Sequence, residues 1–212
     1  MIKTSSRRVL IALGALLCIG ARAPKKELPV ELKRVLKNFR SCPGLEARFE
    51  EKKHIALLAA PLTQRGKIYF YPPNKLARLT TEPRPSHIVL SGNRVIARDE
   101  SGRRSIDLSD KPSLRELVHS ILHVLAGNEL HLMVNYKHEF SGSSDKTWSL
   151  KLVPRNEKVL NMVRSFSFLG KRSQLHELHV LEANGDKSFT RFSKINDRRK
   201  FSKSELKKFF KI

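Results

Sequence analysis

The chain is short of several things, and each shortage narrows what it does. It has two cysteines in 212 residues, Cys18 and Cys42. Cys18 falls in a leader-like first segment, so the remainder holds Cys42 alone and builds no internal disulfide. It has no Gly-x-Ser-x-Gly elbow, no zinc-protease motif and no Gly-rich phosphate loop. No catalytic, metal-binding or cofactor-binding signature is therefore expected. Long linkers, low-complexity tracts and fixed-period repeats are absent, which points to one domain. Acidic residues are fewer than half as many as basic ones, 20 against 42, for a formal charge of +22. Such an excess turns the chain toward nucleic acid, anionic lipid or acidic ligands.

The first segment chooses among these. Lys3, Arg7 and Arg8 precede the apolar run Val9–Gly20, which is too short to span a bilayer. Ala21-Arg22-Ala23 has the small-x-small form of a cleavage site. Residues 1–23 read as a secretory signal peptide and residues 24–212 as the mature domain. Cleavage after Gly20 is the alternative, because Pro24 follows Ala23. The leader carries four basic and no acidic residues, so the mature chain keeps +18. An exported chain meets membranes rather than chromosomes, which favours an anionic membrane surface and excludes nucleic acid.

The best-specified element is the stretch Ser113–Gly127. Leu114, Leu117, Val118, Ile121, Leu122 and Leu125 form one apolar stripe at helical spacing. Ser113 with Glu116 has the form of a capping box, and Gly127 suits the left-handed exit. His119 and His123 lie on the opposite face, with no third ligand in sight. A first helix is expected over about Lys26–Phe39. A last one is expected over Ser202–Phe210, with Ser202 and Glu205 as its capping box. Between them the period is two. Strands are expected from Leu45, at Lys67–Tyr71 after a turn near Gln64-Arg65-Gly66, at Leu76–Thr81, and around the Ser91-Gly92-Asn93 turn. More follow at Leu132–Phe140, at Trp148–Val153, at Phe166 and Phe168, and on either side of Asn184-Gly185.

Nine to eleven antiparallel strands in one meander must curl. The fold class is mainly β (α+β): a strongly curved antiparallel sheet or incomplete barrel with helices over its concave side. That side is either a filled core or an apolar cavity. The residues expected to line it are Phe49, Ile68, Phe70, Leu117, Val118, Ile121, Leu122, Trp148, Leu150, Leu152, Phe166 and Phe168.

A family resemblance rests on an ordered set of motifs. Phe49, Pro61-Leu62 and the run Gly66–Leu76 (Gly-Lys-Ile-Tyr-Phe-Tyr-Pro-Pro-Asn-Lys-Leu) resemble the opening of the LolA-like periplasmic lipoprotein carriers. Ile88–Ile96, Trp148–Pro154 and Leu181–Asp186 continue the match. The resemblance implies an incomplete barrel closed by helices over an apolar cavity, and a monomeric carrier or chaperone. It further implies shuttling of lipoprotein acyl chains, or a related lipid, between inner-membrane donor and outer-membrane acceptor proteins, without catalysis. In the family a key arginine stands just before the Pro-Asn at the second strand's exit and helps hold the lid. Here Pro72 takes that place, which marks a divergent branch. A non-carrying interaction or sensing module with the same fold is the alternative.

Overall fold

A computed structural model describes residues 27–211; the expected leader lies outside the described residues. Eleven strands form one antiparallel, curved, unclosed sheet. They are β1 (Leu45–His54), β2 (Leu62–Tyr71), β3 (Lys75–Glu82), β4 (Ser86–Ser91), β5 (Arg94–Asp99), β6 (Gly102–Asp107), β7 (Tyr136–Gly142), β8 (Thr147–Pro154), β9 (Val163–Lys171), β10 (Gln174–Glu182) and β11 (Lys187–Asn196). Their spatial order is β6-β5-β4-β3-β2-β1-β11-β10-β9-β8-β7. The first and last strands are therefore neighbours at the centre, and β6 and β7 are the two edges. The chain leaves one edge, crosses the trough as α2 (Pro112–Leu125) and α3 (Glu129–Asn135), and enters the other edge. This connectivity makes α2 the cover of the trough.

Helix α1 (Val30–Arg40) fills one side of the trough. Its Leu32, Val35, Leu36 and Phe39 pack on Trp148, Leu150, Leu152, Phe166 and Phe168 of β8 and β9, all buried. Burial of this kind is worth about 1.5–3 kcal/mol per large side chain. The Trp148 indole N–H donates to the Arg172 carbonyl at 2.8 Å. Gly170 is required beneath that ring, since a Cβ there would sit 2.0 Å from Trp148 Cζ2. A short helix, α4 (Glu157–Leu160), closes the β8–β9 connection. On the outer face, α5 (Lys203–Phe210) has its Ser202–Glu205 capping box formed. Leu206, Phe209 and Phe210 join Tyr69, Ala77 and Val89 there.

Four expectations are corrected. The Ser113–Glu116 capping box does not form. Pro112 occupies the first turn, the helix begins one residue earlier with Lys111 as its N-cap, and no side chain caps it. Leu132 and Val134 lie on helix α3, not on a strand. The Asn128 side chain accepts from His131 N–H at 3.0 Å and starts the helix there. Gln64-Arg65-Gly66 is not a turn but part of β2. Gly66 serves close approach to β3, where a Cβ would lie 2.0 Å from the Leu79 carbonyl oxygen. The first helix starts at Val30, later than Lys26, behind Pro29.

Candidate functional site

Helix α2 presents its stripe to three surroundings. Leu117 and Val124 lean on the α1 side of the trough. Val118 and Leu122 pack with Phe70, Leu90 and Leu108 on the other side. Ile121 and Leu125, between them, cover a slot. The slot's floor comes from Leu45 and Ala47 of β1, Ile68 and Phe70 of β2, Leu76 of β3, Leu175 and Leu178 of β10, and Phe192 and Ile195 of β11. All eleven lining residues are apolar. The closed slot holds about 50 Å³ of free space, well below the roughly 300–1,000 Å³ usual for small-molecule sites.

Two one-residue bulges place four of those nine floor residues. Between β9 and β10 the register shifts between Leu175 and Glu177. Between β1 and β11 it shifts opposite Glu46 and Arg48, where β11 spends three residues against two. Each bulge lets residues three apart face the same side. Leu175 and Leu178 thereby both reach the slot, as do Phe192 and Ile195. Lys194 absorbs the second bulge with φ at 49°.

The trough has a polar end. Beyond Ala47 and Ile68, the same inner face carries Phe49, then Glu51, Gln64 and Arg78. Arg78 donates to Glu51 at 2.6 Å and to Gln64 at 2.7 Å, and lies over the Phe49 ring.

Of the twelve expected lining residues, Ile68, Phe70 and Ile121 meet at the slot. Leu117, Val118 and Leu122 flank it in packed clusters. Trp148, Leu150, Leu152, Phe166 and Phe168 form the solid wall under α1. Phe49 stands at the polar end. Sequence reasoning missed Leu45, Ala47, Leu76, Leu125, Leu175, Leu178, Phe192 and Ile195. The apolar i, i+3 pairs in β10 and β11 were the available signal.

Polar ties hold the cover. The buried Tyr136 hydroxyl donates to Ser120, and burial raises the Tyr136 pKa. Asn156 donates to the Glu116 carboxylate at 2.9 Å. The His119 ring N–H donates to the Gly92 carbonyl at 3.1 Å. At the α2–α3 corner, Arg40 donates to the Gly127 carbonyl at 2.9 Å. Gly127 has φ at 65°, and a Cβ would meet the Leu36 carbonyl at 2.1 Å. His131 stacks on His123 with ring centres 3.9 Å apart, a neighbour invisible while residues 132–140 read as one strand. Burial and the charges of His123 and His119 push the His131 pKa down to about 4. The Nδ1 atoms are engaged apart, Asn128 donating to His123 Nδ1 and Asn135 to His131 Nδ1, while His131 Nε2 is buried with no hydrogen-bond partner. Among the described residues no group of three or more His, Cys, Asp or Glu side chains is placed to hold a metal ion. Nor is any helix there long and apolar enough to cross a membrane.

Together these elements make an open antiparallel trough spanned by a helix over an apolar slot. Residues 23–197 match the model of the family described as outer membrane lipoprotein carrier protein LolA-like. The chain belongs to that LolA-like family, as a divergent member. The family is periplasmic, and its members bind or carry rather than catalyse. Solved structures similar to this chain include a LolA superfamily protein from Nitrosomonas europaea, at 11% identity and TM-score 0.45, covering 83% of this chain and 97% of that one. A putative outer membrane lipoprotein-sorting protein domain from Vibrio parahaemolyticus is similar at 8% identity and TM-score 0.48, over 84% and 95%. The Pseudomonas aeruginosa MucA/MucB complex shows 11% identity and TM-score 0.47, over 82% and 60%. No curated protein matches the chain.

Proposed function

We propose that this protein is a periplasmic carrier that shields the acyl chain of a lipoprotein or a related envelope lipid, and passes it between membranes unchanged. The slot under Ile121 and Leu125 carries this reading. An acyl chain offers no directional groups, and a lining without polar side chains binds it by burial alone, at about 0.8 kcal/mol per methylene. The slot is roofed, so loading requires α2 to lift on its Ile121 side. Leu117, Val118 and Leu122 would then extend the apolar surface, with Phe70 and Ile68 below. The wall of Trp148, Leu150, Leu152, Phe166 and Phe168 stays as the rigid backing, and Phe49 marks where the apolar lining ends. Residues 1–23 direct export, and the mature form begins near residue 21 or 24.

The solid packing beneath α1 favours a second reading, an interaction module that carries nothing. One experiment separates the two. The protein is purified from its native envelope, extracted with organic solvent and analysed by mass spectrometry, and fatty-acid probe affinity is measured on the delipidated protein. A bound lipid and saturable probe binding are expected of the carrier. Absence of both leaves the interaction module. N-terminal sequencing of the same preparation checks the export site, and a full-length chain in the cytosol would overturn export.

A further inference from the structure

We infer that the apolar stretch 55–62, the β1–β2 loop with the first residue of β2, is an insertion tip that seats the polar end of the trough against a bilayer bearing anionic headgroups. The stretch reads Ile-Ala-Leu-Leu-Ala-Ala-Pro-Leu, eight residues without one polar side chain. Leu57 is 94% exposed and Leu58 52%. Ala56, Ala59, Ala60 and Pro61 are exposed as well. Single exposed leucines are ordinary, but a contiguous apolar run held in water marks an interaction surface.

The exposure is built into the fold. Leu58 N–H donates to the Ile55 carbonyl at 2.9 Å, which closes a tight turn. Ala56 N–H donates to the Asp186 carboxylate at 3.1 Å, which fastens that turn to the β10–β11 hairpin. The base of the loop is basic. Lys52 and Lys187 are exposed there, the latter directly across from His54. The nearby acids are engaged: Glu182 by Lys53 at 2.7 Å, Glu50 by Arg65 at 2.8 Å, and Asp186 by the loop itself while buried. An apolar tip above a basic collar combines insertion with attraction to anionic lipid. The tip is apolar along its whole length, which suits a fluid hydrocarbon boundary better than a shaped protein socket. A second copy is disfavoured, because it brings another mature chain of charge +18. The basic face of α5 lies elsewhere, on the outer side of β3 and β4.

The inference does not depend on what the slot holds, because it is tested without cargo. Binding is measured by co-sedimentation with phosphatidylcholine vesicles made with and without phosphatidylglycerol. The wild-type protein should bind the anionic vesicles. Leu57→Ser/Leu58→Ser should weaken that binding about a hundredfold, taking about tenfold for each leucine withdrawn from the boundary. Its melting temperature and fatty-acid probe affinity should not change. Lys203→Gln/Lys207→Gln, on α5, should leave vesicle affinity within about threefold. Leu57→Trp should show a blue-shifted emission on binding, quenched by brominated lipid. Any of three results would overturn the inference: no vesicle binding by the wild type, full binding by the double serine variant, or a wild-type dimer in solution that this variant abolishes.

Discussion

The guanidinium carbon of Arg78 lies 4.2 Å from the centre of the Phe49 ring. The same guanidinium bridges Glu51 and Gln64, so one side chain joins the apolar floor to the polar end of the trough. The ion pair is mostly screened from water, with side chains 24% and 17% exposed. Removing one partner leaves the other poorly solvated, which is where such pairs become expensive to break. Arg78→Ala should therefore lower unfolding stability by about 2–3 kcal/mol, through the lost ring contact and the stranded Glu51. Arg78→Met/Glu51→Gln, which removes both charges, should stay within about 1 kcal/mol of wild type. Urea unfolding midpoints decide. Equal costs for the single and double variants would mean the pair itself contributes nothing.

The His131 ring gives the fold an acid limit. Burial and the neighbouring His123 and His119 hold its pKa at about 4, against about 6.5 in an unfolded chain. Burial and His119 also lower that of His123. Arg40 adds positive charge at the same corner, countered by Glu129 at 2.8 Å. Above about pH 6.5 neither state binds the proton, and the contribution is fully present. As pH falls from about 6.5 to about 4, the unfolded chain takes up a proton that the folded chain refuses, and stability drops. Below about 4 this residue causes no further loss. Discounted for its partial exposure, the loss is on the order of 1–2 kcal/mol. Melting temperatures of wild type and His131→Gln across that window should converge at the acid end. Parallel curves would show that His131 does not set the limit.

Where the period was clean, the chain was readable. The α2 stripe, the Ser202–Glu205 box and most strands follow from spacing alone. Three places broke the rule for physical reasons. Leu132, Val134 and Tyr136 alternate like a strand, but the Asn128 cap starts a helix at Glu129, so the His131–His123 stack was out of reach. Gly66 looked like a turn because its actual role is a close approach that only the pairing with β3 defines. The β10 and β11 halves of the slot depend on bulges. A bulge changes which residues face inward, while leaving composition and local propensity nearly untouched. The solid wall under α1 and the slot beside it are built from the same residue types. Only the placement of α1 and α2 distinguishes them.

The bulge at Lys194 can be tested directly. Its backbone lies in the left-handed region, where a side chain costs about 1 kcal/mol or more relative to glycine. Lys194→Gly should raise stability by about 0.5–1 kcal/mol and leave probe binding unchanged. Lys194→Val should lower it by at least about 1 kcal/mol. Deleting Lys194 removes the extra residue, so strict alternation keeps Ile195 opposite Ala47 on the inner face, and probe affinity should hold. Ile195→Ser should weaken probe binding instead, and unchanged affinity in that variant would show that Ile195 has no part in binding.

Ile121 and Leu122 are adjacent on α2 but face different surroundings, which separates a roof from a core. Leu122 is buried among Phe70, Leu90 and Leu108, with packing partners on every side. Leu122→Ala leaves a hole the neighbours cannot fill, and should cost about 2–5 kcal/mol of stability. Ile121 borders the slot, so part of its surface has no partner atoms in the empty protein. Ile121→Ala forfeits fewer contacts and should cost about 1–1.5 kcal/mol. Ligand binding should rank them the other way. With a fatty-acid probe in the slot, Ile121→Ala loses buried contact worth about 1–2 kcal/mol, whereas Leu122→Ala, where folded, reaches only the margin of the opened slot and should lose less than half of that. Two quantities are measured for each variant: urea unfolding without ligand, and probe affinity at a temperature where both remain folded. The crossed pattern identifies α2 as the roof of a binding site. Equal stability losses, with no probe binding by the wild type, would make α2 a plug in a solid domain and end the carrier reading.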